Sequence, residues 1–170
     1  MSDACHARFA QVLDLGCGTS LCGLHIRSRA EVLWGLDLSE AMLDKARALG
    51  AYDQLIEGEV VEALRSETAL FDLVLAADIF IYVGHLGDVF ALLAQRIRAG
   101  GWLAFTVEEP VRAWDEPQLL PSLRYAHPSN YIQALAMQHG CRCVHAHSAP
   151  LRWDQQIGVP GTYFYLQRAA

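Results

Sequence analysis

Residues 12–20, Val-Leu-Asp-Leu-Gly-Cys-Gly-Thr-Ser, carry an apolar run straight into a turn containing Gly16 and Gly18. Glycine at such a turn permits positive φ and lets a ligand approach the backbone closely. The dinucleotide-binding version of this turn reads Gly-x-Gly-x-x-Gly, with the pyrophosphate at the helix N-terminus. Here Leu21 stands at the third glycine position. Asp14, two residues before Gly16, would repel a pyrophosphate and attract a cationic amine. A second carboxylate, Asp37, ends the next apolar run in Trp34-Gly-Leu-Asp-Leu-Ser39. Taken alone, the glycines could serve only the chain reversal, and Asp37 could be a solvated strand end. Taken together, they predict a cradle for a positively charged ligand and disfavour NAD-dependent redox chemistry.

Further polar groups fall at or beyond the carboxyl ends of predicted strands, where open α/β sheets place their ligands. They are Asp78, Tyr82, His85, Tyr125 and His127. Of these, Asp78, Tyr82 and His127 are the candidate catalytic residues. Asp78 could equally organise the loop after its strand. An imidazole with a reference pKa near 6.5 can accept a proton at neutral pH. His127 could also be a structural loop residue before Pro128. Cys141, Cys143, His145 and His147 alternate along the chain, so one strand would point all four to one face. They would span roughly 20 Å there, whereas tetrahedral zinc needs its ligands within about 2.3 Å of one point. No metal site is predicted. The five cysteines, an odd set that includes Cys5, Cys17 and Cys22, read as reduced thiols.

These residues are to be held by alternating short strands and helices. Strands are predicted at 12–15, 32–38, 55–57, 73–76 and 102–107. Helices are predicted at 21–30, from Ser39 as N-cap to Gly50, near 60–65, and at 88–98, closed by Ala99-Gly100-Gly101. Residues 111–123, broken by prolines and tryptophan, read as an insertion or lid. A helix follows from a Ser129 cap to 138. Strands at 141–148 and 162–167 are joined by a long connection without a helical pattern. The alternation implies a parallel sheet covered on both faces, and the helix-free ending implies an antiparallel edge insertion.

The 170 residues predict a single domain over 1–170. Hydrophobic residues at 53% and charged residues at 19% exclude a disordered chain. Thirteen Lys plus Arg against nineteen Asp plus Glu, net −6, disfavour a nucleic-acid partner, whose phosphates need clustered cations. The most apolar stretch, 70–83, is interrupted by Asp72 and Asp78 and is too short to span a membrane. The N-terminus lacks the basic-then-apolar pattern of a signal peptide. A cytoplasmic address is expected. Only about ten residues precede the first strand, room for two or three helical turns. The cleft is therefore expected to be unusually open, or else covered by another copy, a missing N-terminal region or residues 111–123.

The sequence resembles the class I S-adenosylmethionine (SAM)-dependent methyltransferases. Their first motif, an acid followed by Gly-x-Gly-x-Gly, is matched by Asp14-Leu-Gly16-Cys-Gly18-Thr-Ser20, with Ser20 in place of the last glycine. The resemblance implies that Asp14, Gly16 and Gly18 hold the methionine part and that Cys17 forms a wall. It gives Asp37 the ribose hydroxyls, with Leu38 beside them. Met42, Glu59 and Val60 fall to the adenine, though Met42 could be core and Glu59 a helix-start acid favoured by the macrodipole. The run Phe71-Asp-Leu-Val-Leu-Ala-Ala77-Asp78 would end beside the sulfonium. Within the family, the runs 76–84 and 123–127 are similar to those of bacterial methyltransferases fused to tetratricopeptide repeats. The implied fold is a Rossmann-like three-layer α/β sandwich with a seven-stranded mixed sheet, order 3-2-1-4-5-7-6, strand 7 antiparallel. The implied activity is methyl transfer from SAM to an N or O atom of a small molecule, without a membrane or nucleic-acid partner. The alternative is a non-catalytic SAM-binding or regulatory module that keeps the fold, favoured by Ser20 and the short N-terminus.

Overall fold

The computed structural model describes residues 8–110, 114–154 and 156–170. Apolar runs in the first two-thirds form five parallel strands: β1 (Phe9–Leu15), β2 (Ala30–Asp37), β3 (Gln54–Glu57), β4 (Phe71–Ala76) and β5 (Ile97–Glu108). The helices between them are α1 (Leu21–Ile26), α2 (Glu40–Leu49), α3 (Val60–Ser66) and α4 (Gly87–Arg96). Beyond β5 come β6 (Gln118–Leu119), β7 (Tyr125–Ala126), α5 (Ser129–Gln138), β8 (Cys141–Asp154) and β9 (Ile157–Arg168). The main sheet runs β3-β2-β1-β4-β5-β9-β8, with β9 antiparallel to both neighbours. That is the order expected from the sequence, but the short strands β7 and β6, joined to the end of β5, raise the expected seven strands to nine.

Several boundaries differ from expectation for physical reasons. The first helix stops at Ile26, and Arg27–Arg29 continue as one 3-10 turn. Residues 9–10 extend β1, so no helix reaches them. Their sheet pairing through Phe9 and Ala30 is worth more than an isolated helical turn. Ser39 occupies the N-cap of α2 but its side chain makes no capping bond, and Gly50 closes that helix with φ 65°. Pro128, not Ser129, is the N-cap of α5. The insertion expected at 111–123 contributes β6, paired with β7, which in turn meets β5 at Glu108 beyond the end of β4. Its residues 111–113 lie outside the described residues, as does Cys5. The long connection before the last strand is instead taken up by the strands themselves, which extend to Asp154 and Ile157.

Alternation along the buried strands feeds two apolar layers, as period-2 geometry requires. Leu13, Leu15, Val74, Leu103, Phe105 and Phe164 face one layer, against Leu64, Phe90, Leu93 and Ile132 of α3, α4 and α5. Val12, Leu33 and Leu73 face the other, against Ile26 and Tyr52. Phe105 sits at the centre of the larger layer. It stacks on Phe164 with centroids 5.3 Å apart and meets Phe80 and Phe90 at 5.3 and 5.9 Å.

The expectation that Cys141, Cys143, His145 and His147 share one face is corrected. An irregularity in the β8–β9 register lies between Cys143 and His145. Cys143 thus pairs with buried Leu166, whereas His145 and His147 stack on Tyr165 and Tyr163. A β-bulge of this kind resets the parity of every residue after it. Among the described residues no cluster of three or more metal-ligating side chains occurs, and no helix is long and apolar enough to cross a membrane. Cys17, Cys22, Cys141 and Cys143 are free thiols.

Phe105→Ala should lower stability by about 3–5 kcal/mol, the usual cost of truncating a fully packed aromatic. Urea unfolding is expected to show a lower midpoint with an unchanged m-value.

Candidate functional site

Parallel strands deliver their C-terminal ends to one side of the sheet, and a cavity of about 380 Å³ opens there. Gly16 after β1, Leu36–Leu38 at the end of β2, Gly58–Val60 after β3 and Asp78, Ile79, Tyr82 and Val83 after β4 line it. The volume lies within the usual range of small-ligand sites. Gly16 has φ 65°, and a Cβ on it would stand 2.9 Å from the Ile79 Cβ. Both the backbone and the neighbour therefore require glycine.

Asp37 binds the turn to the strand beside it. Its Oδ2 accepts the Gly18 N–H at 2.8 Å, and its Oδ1 accepts the Ser39 N–H at 2.9 Å. Each carboxylate oxygen has two acceptor positions, so both oxygens keep one free for a ligand.

Of the residues expected at a ligand site, the cavity brings together Gly16, Asp37, Leu38, Glu59, Val60, Asp78 and Tyr82. Leu38 and Tyr82 are exposed on its rim, at 70% and 66%. Glu59 is also the N-cap of α3, its Oε2 accepting the N–H groups of Val61 and Glu62 at 2.8 and 3.1 Å. The helix-start role weighed for Glu59 is thus observed at a carboxylate that also lines the cavity. Asp78 adopts φ 56°, donates its N–H to Thr106 Oγ1 at 2.9 Å and pairs with Arg152 at 2.6 Å.

Asp14, Cys17, Gly18, Met42, Ala77 and His127 do not line the cavity. The expected direction of Asp14 is corrected. Its carboxylate is 1% exposed and accepts the Tyr52 hydroxyl at 2.7 Å. Burial pushes it from 3.8 up to about 6, opposed by the Tyr52 bond and reinforced by Asp37. Cys17 packs where a Gly35 Cβ would otherwise lie, and burial raises its thiol to about 12, so it is an inert packing residue beneath the turn and not a wall of the cavity. Gly18 acts through its N–H on Asp37.

His127 is fully buried, its Nε2 2.9 Å from the Val83 carbonyl and 3.0 Å from that of Gly84. Two acceptors around one nitrogen assign the proton to Nε2. Burial lowers its pKa. The neutral ring thus fixes the loop behind Val83, the structural role weighed for it. Sequence reasoning missed Ile79 and Val83, which continue the apolar run after Asp78, and Tyr52 and Arg152, which no local pattern marks.

A family model described as "Methyltransferase domain" matches residues 12–101, more than half of the chain. The chain belongs to the methyltransferase domain family. Malonyl-[acyl-carrier protein] O-methyltransferase of Salmonella typhimurium is 30% identical over 141 residues, 79% of this chain and 54% of that protein. The chain thus spans about half the length of this curated relative. In fold, it is similar to a SAM-dependent methyltransferase from Methanosarcina mazei, with TM-score 0.75 and 12% identity over 99% of this chain and 98% of the other. It is also similar to the N-methyltransferase NodS from Bradyrhizobium japonicum in complex with S-adenosylhomocysteine, with TM-score 0.73 and 13% identity over 96% and 80%.

The turn of this methyltransferase domain can be tested at two residues. Ser20 is buried in a left-handed conformation, φ 79°, with no partner for its hydroxyl among the described residues. Ser20→Gly should raise stability by about 1 kcal/mol by relieving that strain, read as a higher melting temperature. Asp14 has a folded pKa above its unfolded one. Its contribution is therefore complete below about pH 4 and is lost as pH rises through about 6. Asp14→Asn should abolish that loss. At pH 7.5 the variant should be more stable than wild type, by up to about 3 kcal/mol. The difference should vanish towards pH 4 in denaturant titrations.

Proposed function

We propose that this chain binds S-adenosylmethionine in the cavity and transfers its methyl group to an oxygen or nitrogen atom of a small-molecule acceptor. One observation carries the reading: three carboxylates, Asp37, Glu59 and Asp78, line a cavity whose described lining holds no Lys or Arg, beside a glycine turn. Such a lining repels phosphates and favours a cation. When bound there, SAM supplies a methyl group already activated on a positively charged sulfur.

In this reading Asp37 accepts the ribose hydroxyls on the acceptor positions left free by Gly18 and Ser39. The Gly16 turn admits the methionine part by close backbone approach. Leu38, Val60 and the Glu59 end of α3 border the adenine. Asp78 and Tyr82 stand at the reacting end, where holding the acceptor in line with the sulfur–methyl bond supplies most of the rate. The described lining contains no imidazole, and His127 keeps its proton on the loop carbonyls. An acceptor already ionised at neutral pH, such as a carboxylate, needs no proton removed. The likeness to an O-methyltransferase of a malonyl group carried on a protein supports oxygen as the acceptor atom. The runs 76–84 and 123–127 support a place beside the bacterial enzymes fused to tetratricopeptide repeats, working in the cytoplasm.

Calorimetric titration with SAM and S-adenosylhomocysteine tests the cofactor assignment. Wild type should bind in the micromolar range, and Asp37→Ala should bind at least tenfold more weakly. Equal affinity in the two proteins would falsify the ribose role of Asp37. Turnover of SAM in a screen of carboxylate, hydroxyl and amine acceptors would distinguish an enzyme from a binding module.

A further inference from the structure

The segment after β4 forms one wall of the cavity through Asp78, Ile79, Tyr82 and Val83. Asp78 has φ 56°, a backbone that a non-glycine residue keeps only where its surroundings over-determine it. Two anchors do so. The Asp78 N–H donates to Thr106 Oγ1 of β5, and its carboxylate accepts from Arg152 Nη1 at 2.6 Å. Arg152 comes from β8, 74 residues further along the chain. Its other terminal nitrogen donates to Glu108 at the end of β5.

The two carboxylates on this guanidinium differ in burial: the Glu108 side chain is 4% exposed and that of Asp78 47%. Losing Arg152 would strand the Glu108 charge in the interior, which is strongly destabilising. The half-exposed pair with Asp78 adds little stability. Its consequence is geometric. It holds the loop that presses Ile79 onto Gly16 and sets Tyr82 on the rim. A planar fork with fixed donors can serve two carboxylates at once, which the point charge of a lysine does less well.

We infer that Arg152 is a positioning residue that acts through Asp78 to keep the 78–83 wall shaped for the ligand, tying the β8–β9 hairpin to the cofactor side of the cavity. The inference rests on the cavity being the SAM site proposed above.

The test separates the two pairs. Arg152→Met, Glu108→Gln and the double variant are compared by urea unfolding and by calorimetric titration with S-adenosylhomocysteine. Arg152→Met alone should lose both stability and affinity. The double variant strands no buried charge and should recover stability, yet bind at least tenfold more weakly than wild type. Glu108→Gln, which leaves Arg152 on Asp78, should bind as wild type does. Binding by the double variant within twofold of wild type would reduce Arg152 to a counter-ion for Glu108 and overturn the inference. Should the double variant not fold, Arg152→Lys decides in its place. Weakened binding in a folded protein supports positioning, and unchanged binding overturns it. A wild type that binds no S-adenosylhomocysteine overturns the cofactor reading and this inference with it, whereas the preceding outcomes overturn the inference alone.

Discussion

The bond pair that Asp37 accepts from Gly18 and Ser39 is the constraint on which the cavity depends. A glycine-rich turn has little intrinsic preference for one shape. Here it is drawn to the end of β2 by one carboxylate, and the Cys17 N–H adds a bond to the Leu36 carbonyl at 3.0 Å. Hydrogen bonds to a charged acceptor are worth roughly 1.5–3 kcal/mol each. Two of them on one half-buried side chain outweigh the conformational freedom of the few residues they fix. They also fix the carboxylate where it lines the cavity. Turn shape and one wall of the cavity are therefore set by the same group.

Beneath this turn the chain tolerates local costs. Asp14 lies at 1% exposure with a tyrosine hydroxyl as its hydrogen-bond donor, and Ser20 occupies a left-handed position that suits glycine. Tyr52 supports the first of these. Its ring lies against Gly23 and Gly35, where a Cβ would collide with it, and its hydroxyl reaches Asp14. The absence of side chains at those glycines makes room for the ring, and the ring brings a donor to the buried carboxylate. Desolvation still dominates and raises the Asp14 pKa to about 6. The neighbouring charge of Asp37 adds to it, so the acid that orders the turn makes the one beneath it harder to ionise.

The parallel half of the sheet was legible because β1, β2 and β4 are buried on both faces and read as continuous apolar runs. The acids at their ends were legible by position alone, and the cavity gathers Asp37, Glu59 and Asp78 as expected. What was not legible is direction. Asp14 obeys the pattern of a ligand-facing acid, but β-strand alternation puts its carboxylate on the Val12 side, under Tyr52. His127 has the right type and place for a proton acceptor. The loop carbonyls of Val83 and Gly84 claim its Nε2, however, and their approach depends on β7 reaching Glu108. A bulge near Val144 separated two cysteines from two histidines that the alternation would have united, since nothing in the composition of 141–148 marks the extra residue.

Arg152 is the clearest case of what local reading leaves out, and the sheet topology explains its position. β9 runs antiparallel to β5, so the end of β5 at Glu108 pairs with Gly161, near the start of β9. Beyond that point, after a last bond from the Glu109 N–H to the Pro160 carbonyl, β8 and β9 continue to pair with each other through Pro150↔Pro160, Arg152↔Val159 and Trp153↔Gly158. At about 3.3 Å per residue the hairpin overhangs the end of β5 by on the order of 10 Å. A connection that crossed a face of the sheet would have returned the chain at the opposite end, as in the parallel half. Pairing with the returning strand β9 supports β8 past the C-terminal ends of the parallel strands, where the cavity opens. Edge strand β8, held past the end of β5 by its pairing with β9, thus brings a cation from the last quarter of the chain to carboxylates laid down by β4 and β5.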